Sequence, residues 1–173
     1  MMLIMARTGI NPAVRFRMAR MAVAMAVTAT TAVEPQSRER IFVVIVNQAR
    51  PETDLSREKL VRVFRGETKF WDNREAIRPI LPSPDAREGF ISTVLKLSSR
   101  DYDRQWKERL FRGENTSVPL QFADDREAAQ IVFSSPTALA IVELAKSPNL
   151  AKAVKILTVD GKAPSDADYG LRW

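Results

Sequence analysis

Apolar residues along this chain fall into two kinds of run that alternate with each other. Near-continuous apolar runs occupy residues 41–47 (IFVVIVN) and 138–144 (ALAIVEL), and shorter interrupted ones 77–81 (IRPIL) and 154–159 (VKILTV). Short unbroken runs bounded by turn residues predict buried strands. Between them, apolar residues return every three or four positions, which predicts helices with one face in a core. In LSREKLVRVFRGETKFW, Leu60, Val61, Val63 and Phe64 form such a stripe. Ser56 is placed to cap this helix, with Leu55 and Leu60 as a hydrophobic staple. Gly66 can close it in the left-handed conformation, and Arg62 and Arg65 suit its C-terminal dipole. Phe70 and Trp71 are then expected to pack beneath the next element.

The remaining segments follow the same logic. Pro51 stops the first strand from extending. A second helix is predicted over 83–97, with Ser83 as cap and Pro84 at its first position, and its core face is Phe90, Ile91, Val94, Leu95 and Leu97. A third is predicted over 101–112, because Tyr102, Trp106 and Leu110 recur every four residues. A short strand is expected at 118–122. Asp124 then caps a helix carrying Ala128, Ala129, Val132 and Phe133, which Ser135-Pro136 breaks. Ser147-Pro148 should open a short helical turn before the last strand. Phe-Arg-Gly-Glu occurs at 64–67 and again at 111–114. The flanks differ, so these are two similar helix ends and not a repeat. Strands alternating with helices give an α/β domain with a helix-flanked mixed sheet.

Several pieces, in order, resemble the phosphate-binding proteins of ABC transporters. They are LSREKLVRVFRGETKFW, the extended IRPILP, the helix REGFISTVLKL, Trp106 with Phe111-Arg112-Gly113, and the ending VKILTVDGKAP…YGLRW. The resemblance covers residues 41–173 and implies one lobe of a type II periplasmic binding protein. In that family the strand-to-helix turn matching residues 81–87 carries an arginine and then a Ser-Gly-Thr group. Here those places read Leu81-Pro82 and Asp85-Ala86-Arg87. The family's glycine-rich, tyrosine-bearing turn is replaced near 137–142 by Ala138, Ala140 and Val142. A complete first lobe has no room before Ile41, so the resemblance implies a single-lobed member.

Residues 1–33 change the picture of charge. They hold Arg7, Arg15, Arg17 and Arg20, no acid, the apolar run MAVAMAV and the small-residue tail TATTAV. A basic start, a short apolar run and small residues describe a cleavable export signal, and the run is too short to span a bilayer. The expected layout is therefore a signal peptide at 1–33, a polar linker at 34–40 and the α/β domain at 41–173. The whole chain carries 27 basic and 21 acidic residues, net +6. Without the four arginines the balance is 23 against 21, so the strongly basic character belongs to targeting. That removes the main argument for nucleic-acid binding. The 173-residue chain has no cysteine and no histidine, which excludes disulfides, thiol nucleophiles, His-based triads and the usual zinc sites.

Anions in α/β domains sit at strand C-termini facing helix N-termini. The turn at 81–87 is the best such place, and Ser83, Asp85 and Arg87 are the candidate ligand residues. Ser83 and Arg87 can donate, while Pro84 lacks an N–H and Asp85 opposes an anion. Asp124-Asp125 has the look of a paired-carboxylate site, yet a helix cap accounts for both. No activated nucleophile or metal cluster is visible, so an enzyme is not expected, and neither is a cofactor. The leading expectation is a periplasmic solute-binding-protein-like domain that takes phosphate or another small anion weakly. The second is a periplasmic interaction module that has lost its ligand, meeting an ABC transporter permease or another periplasmic protein. No stable membrane span is expected after cleavage. N-terminal sequencing of exported protein should find the mature start between about Thr30 and Pro35; retention of Arg7 to Arg20 would overturn the export reading.

Overall fold

Phe42–Asn47 forms β1, the strand on which the domain is built, and every residue from Phe42 to Val46 is fully buried. The computed structural model describes residues 39–114, 117–146 and 154–173. The proposed signal peptide, most of the linker and the turn expected at Ser147-Pro148 lie outside those residues. β1 pairs antiparallel with β4 (Ala138–Glu143) on one side and with β5 (Val154–Val159) on the other. β3 (Arg78–Ile80) adds in parallel to β4, and the two-residue β2 (Asp54–Leu55) adds in parallel to β5. The sheet order is β2-β5-β1-β4-β3. This mixed sheet agrees with the expected class, although β2 is too short to have been read from sequence.

Side-chain alternation sends successive strand residues to opposite faces. Phe42, Val44, Val46, Leu139, Ile141, Leu157 and Val159 point to one core, shared with α1 (Arg57–Phe64), α2 (Pro84–Thr93) and α3 (Ser99–Phe111). Val43, Ile45, Ala138, Ala140, Val142 and Val154 point to a second core under α4 (Asp125–Ser134). A strand buried on both faces must be apolar nearly throughout, which is why residues 42–46 of β1 and 138–142 of β4 carry no polar side chain,.

The cap of α1 forms as expected: the Lys59 backbone N–H donates to Ser56 Oγ at 3.1 Å. Gly66 follows at φ +73°, and a Cβ there would meet Trp106 Cη2 at 2.5 Å. Its left-handed backbone and the seat for an aromatic ring are thus one requirement. Four expectations need correction. The helix expected over 83–97 ends at Thr93, and Lys96 lies at φ +55°. Its last carbonyls are taken up from outside, Thr93 by Arg57 at 3.2 Å and Leu95 by Arg65 at 2.6 Å. Leu110 is 54% exposed. A four-residue spacing drifts by about 40° per step on a helix, so two steps carry it off the face of Tyr102 and Trp106. Phe70 is also exposed, and only Trp71 reaches the core. The strand expected at 118–122 is reduced to one bridge between Leu120 and Ile80. Pro79 and Pro119 each lack an N–H there, which limits pairing along that edge.

Trp106 is 5% exposed and Phe64 fully buried, so both serve the core. Gly66→Ala should lower stability by about 1–3 kcal/mol through overpacking against Trp106, beyond its backbone strain. Trp106→Ala should cost about 3–5 kcal/mol. Urea denaturation midpoints measure both, and parent-like midpoints would show that the Gly66–Trp106 contact carries no weight.

Candidate functional site

The C-terminal ends of β3 and β4 lie at one edge of the sheet, and both lead into charged turns. β3 feeds the N-terminus of α2 through Leu81-Pro82-Ser83, and β4 ends on Glu143 and runs into the short 3₁₀ turn Leu144–Lys146. Because β1 is antiparallel to β4 with Phe42 opposite Glu143, the residues just before β1 arrive at this same edge. That register delivers Arg40. Its backbone is fixed by the C-terminal segment: Arg40 N–H donates to the Trp173 carbonyl at 3.0 Å, and Trp173 N–H donates back at 3.1 Å. The Trp173 ring stacks on Phe42 with centroids 3.9 Å apart, and it also covers Gly89, where a Cβ would collide with it.

Four charged side chains meet at this edge. Arg40 Nη2 donates to Asp85 Oδ2 at 2.8 Å and to Glu143 Oε2 at 2.5 Å. Lys146 Nζ donates to Asp85 Oδ2 at 2.6 Å and lies 3.2 Å from Glu143 Oε2. Ser83 Oγ donates to Asp85 Oδ1 at 2.8 Å. Two cations therefore face two carboxylates, and the cluster is neutral. Burial differs sharply across it: Glu143 is almost wholly buried, while the Asp85 side chain is 52% exposed. Beneath the cluster, Asp125 Oδ2 accepts the Glu143 backbone N–H at 2.8 Å.

The protonation balance follows from these contacts. The Lys146 ammonium and then the Ser83 hydroxyl hold the Asp85 carboxyl well below the usual range. Hydrogen bonding to Arg40 holds the Glu143 carboxyl down, and the same contact raises the Arg40 guanidinium. Lys146 is raised chiefly by its bond to Asp85. All four groups are thus ionised at neutral pH.

The structure brings two of the three sequence-derived candidates, Ser83 and Asp85, into this cluster. Arg87 is placed elsewhere. Two residues further round the helix, its guanidinium pairs with Asp103 of α3 and lies over the Tyr102 ring. Ser83 stands at the cap position of α2, but its hydroxyl makes no cap bond to the backbone. The hydroxyl donates to the nearby Asp85 carboxylate instead, and the Ala86 and Arg87 N–H groups donate to the Ser83 carbonyl. Asp124 does cap α4, accepting from the Glu127 N–H at 2.9 Å. Asp125 differs from the cap expected of it, because it is 3% exposed and ties α4 to the end of β4. Arg40, Glu143 and Lys146 were not singled out from sequence. One sign was present: Glu143 is a carboxylate inside the apolar run ALAIVEL, and such a group needs partners. Among the described residues, no group of three or more acidic side chains is arranged to hold a metal ion. No helix among them is long and apolar enough to cross a membrane.

No protein-family model and no curated protein sequence matches this chain. Solved structures do match its fold. An ABC-type phosphate transport receptor from Vibrio cholerae aligns with TM-score 0.60 at 18% identity, over 78% of this chain and 54% of its own. PstS from Borrelia burgdorferi aligns with TM-score 0.62 at 14% identity, over 78% and 55%. A putative phosphate ABC transporter substrate-binding protein with bound phosphate, from Clostridium perfringens, aligns with TM-score 0.61 at 13% identity, over 78% and 53%. The chain spans about half the length of the solved proteins it matches. Its helix-flanked mixed sheet is the α/β fold of a lobe of a type II periplasmic binding protein, and at these identities the likeness concerns the fold.

The two depressed carboxyls give this edge a pH signature. A carboxyl whose folded pKa is lowered stabilises the fold above its unfolded value and loses that contribution as pH falls toward the folded value. For Asp85 and Glu143 the loss begins near pH ~4 and continues below it. Stability of Glu143→Gln should therefore depend less steeply on pH in that acid range than the parent's. Thermal melts between pH ~5 and pH ~2.5 measure the slopes, and parallel curves would show that the pair is not linked to folding.

Proposed function

We propose that this chain is a periplasmic solute-binding-protein-like domain that takes phosphate or another small anion weakly at the edge where β3 meets α2. The observation that carries this reading is the convergence of Arg40, Lys146 and Ser83 on one point at the start of α2, in a fold shared with phosphate transport receptors. Helix N-termini at strand ends are where α/β folds accept anions. The proposed ligand residues are Ser83 and its neighbours in the cluster, with Asp85 opposing. Arg87, the third residue proposed from sequence, would have to leave Asp103 to take part.

The proposed layout is a cleaved signal peptide at 1–33, a linker at 34–40 and the binding domain at 41–173. Such a protein has no catalytic role and needs no cofactor. Its partners are a small anion and an ABC transporter permease or another periplasmic protein, with no nucleic acid and no membrane span once the signal is removed. A second reading, a periplasmic interaction module that has lost its ligand, is favoured by one feature: both cations of the cluster already have carboxylate partners.

An anion entering this cluster gains two or three charge-assisted hydrogen bonds of about 1.5–3 kcal/mol each, and these must offset the entropy of association. Phosphate affinity should accordingly be no tighter than about millimolar. Calorimetry with phosphate, and sulfate as control, should detect weak binding that Lys146→Gln removes. Micromolar binding would mean that this domain holds a far better site than the cluster suggests. Absence of anion binding would leave the interaction-module reading in its place.

A further inference from the structure

The cluster described above is short of vacancy rather than of donors. Three donors from three separate places in the chain converge on the Asp85 carboxylate. They are Arg40 before β1, Lys146 after β4 and Ser83 at the head of α2. Ser83 is 6% exposed, so its hydroxyl is a fixed part of the edge. The two Asp85 oxygens receive what a small oxyanion would receive in the same place. Resting on the anion-binding reading, we propose that Asp85 is a built-in competitor, occupying the anion seat and setting the affinity of the domain for small oxyanions.

The geometry allows such an exchange. Glu143 is buried and cannot leave its cations without exposing an unpaired charge,. Asp85 is half exposed and sits on the first turn of α2, so rotation about its Cα–Cβ bond carries the carboxylate into water. An incoming anion then inherits the Arg40, Lys146 and Ser83 donors while Glu143 keeps its own contacts. The released Asp85 carboxylate stays within a few ångströms and repels the ligand, so competition acts twice: once by holding the donors and once by charge. It depends on charge more than on shape, and hence weakens phosphate and sulfate alike.

Asp85→Asn removes the competing charge with little change of volume and leaves the cluster one unit positive. By calorimetry at fixed ionic strength, the dissociation constants for phosphate and sulfate should both fall at least tenfold, which corresponds to ~1.4 kcal/mol. In the double variant Asp85→Asn/Lys146→Gln the gain should disappear. A phosphate-dependent rise in the melting midpoint of Asp85→Asn checks that the variant is folded and that binding is to the native state. Weak parent binding that Lys146→Gln abolishes but Asp85→Asn leaves unchanged would overturn the competitor role while keeping the anion site. Failure of every variant to bind phosphate or sulfate would overturn both.

Discussion

β1 is the constraint on which the rest of this domain depends. It is paired along both edges and covered on both faces, so Phe42 to Val46 leave no surface for water. Burying side chains of this size contributes roughly 1.5–3 kcal/mol each, which makes the strand the centre of both cores at once. Its register has a second consequence. With Phe42 opposite Glu143, Arg40 has to arrive beside the C-terminal end of β4, and the Arg40–Trp173 backbone pair holds it there. The charged edge is thus an outcome of how the central strand is seated.

At that edge electrostatics are governed by unequal burial. Glu143 cannot be left unpaired, since a buried carboxylate without a partner costs several kcal/mol. Arg40 answers that need most closely, at 2.5 Å, while Lys146 sits nearer Asp85, at 2.6 Å, than Glu143, at 3.2 Å. Both cations are consequently engaged in ion pairs within the domain. The proposed anion site differs from an open pocket in where its cost lies: the donors are already in position, and on that proposal an anion has to displace a carboxylate. The fold shared with phosphate transport receptors and the self-neutralised edge are therefore compatible, and together they support the proposed weak binding.

Much of the fold was legible because local rules and burial pointed the same way. The runs at 41–47, 138–144 and 154–159 became β1, β4 and β5, and the Ser56 and Asp124 caps formed as read. Where the reading failed, a partner remote in sequence had decided. α2 stops early while Arg57 and Arg65 of the α1 region take up the carbonyls at its end. Residues 118–122 stay irregular because β3 offers them one bridge only. Asp125 looked like a cap residue and is a buried tie to the Glu143 backbone.

The sequence by itself determined the class of the domain, the order of its helices and of the strands other than β2, the buried runs at β1 and β4, and the strand-to-helix turn at 81–87. Those features follow from hydrophobic period and from turn and cap chemistry, which act within a few residues. Which charges gather at that turn was decided by the tertiary structure alone. Arg40, Asp85, Glu143 and Lys146 lie up to 106 positions apart, and only antiparallel pairing of β1 with β4, and parallel pairing of β3 with β4, brings them within hydrogen-bond reach. Arg87 went to Asp103 for the same kind of reason. A helix directs each side chain by its angle around the axis, and the neighbour at that angle is set by packing and not by position along the chain.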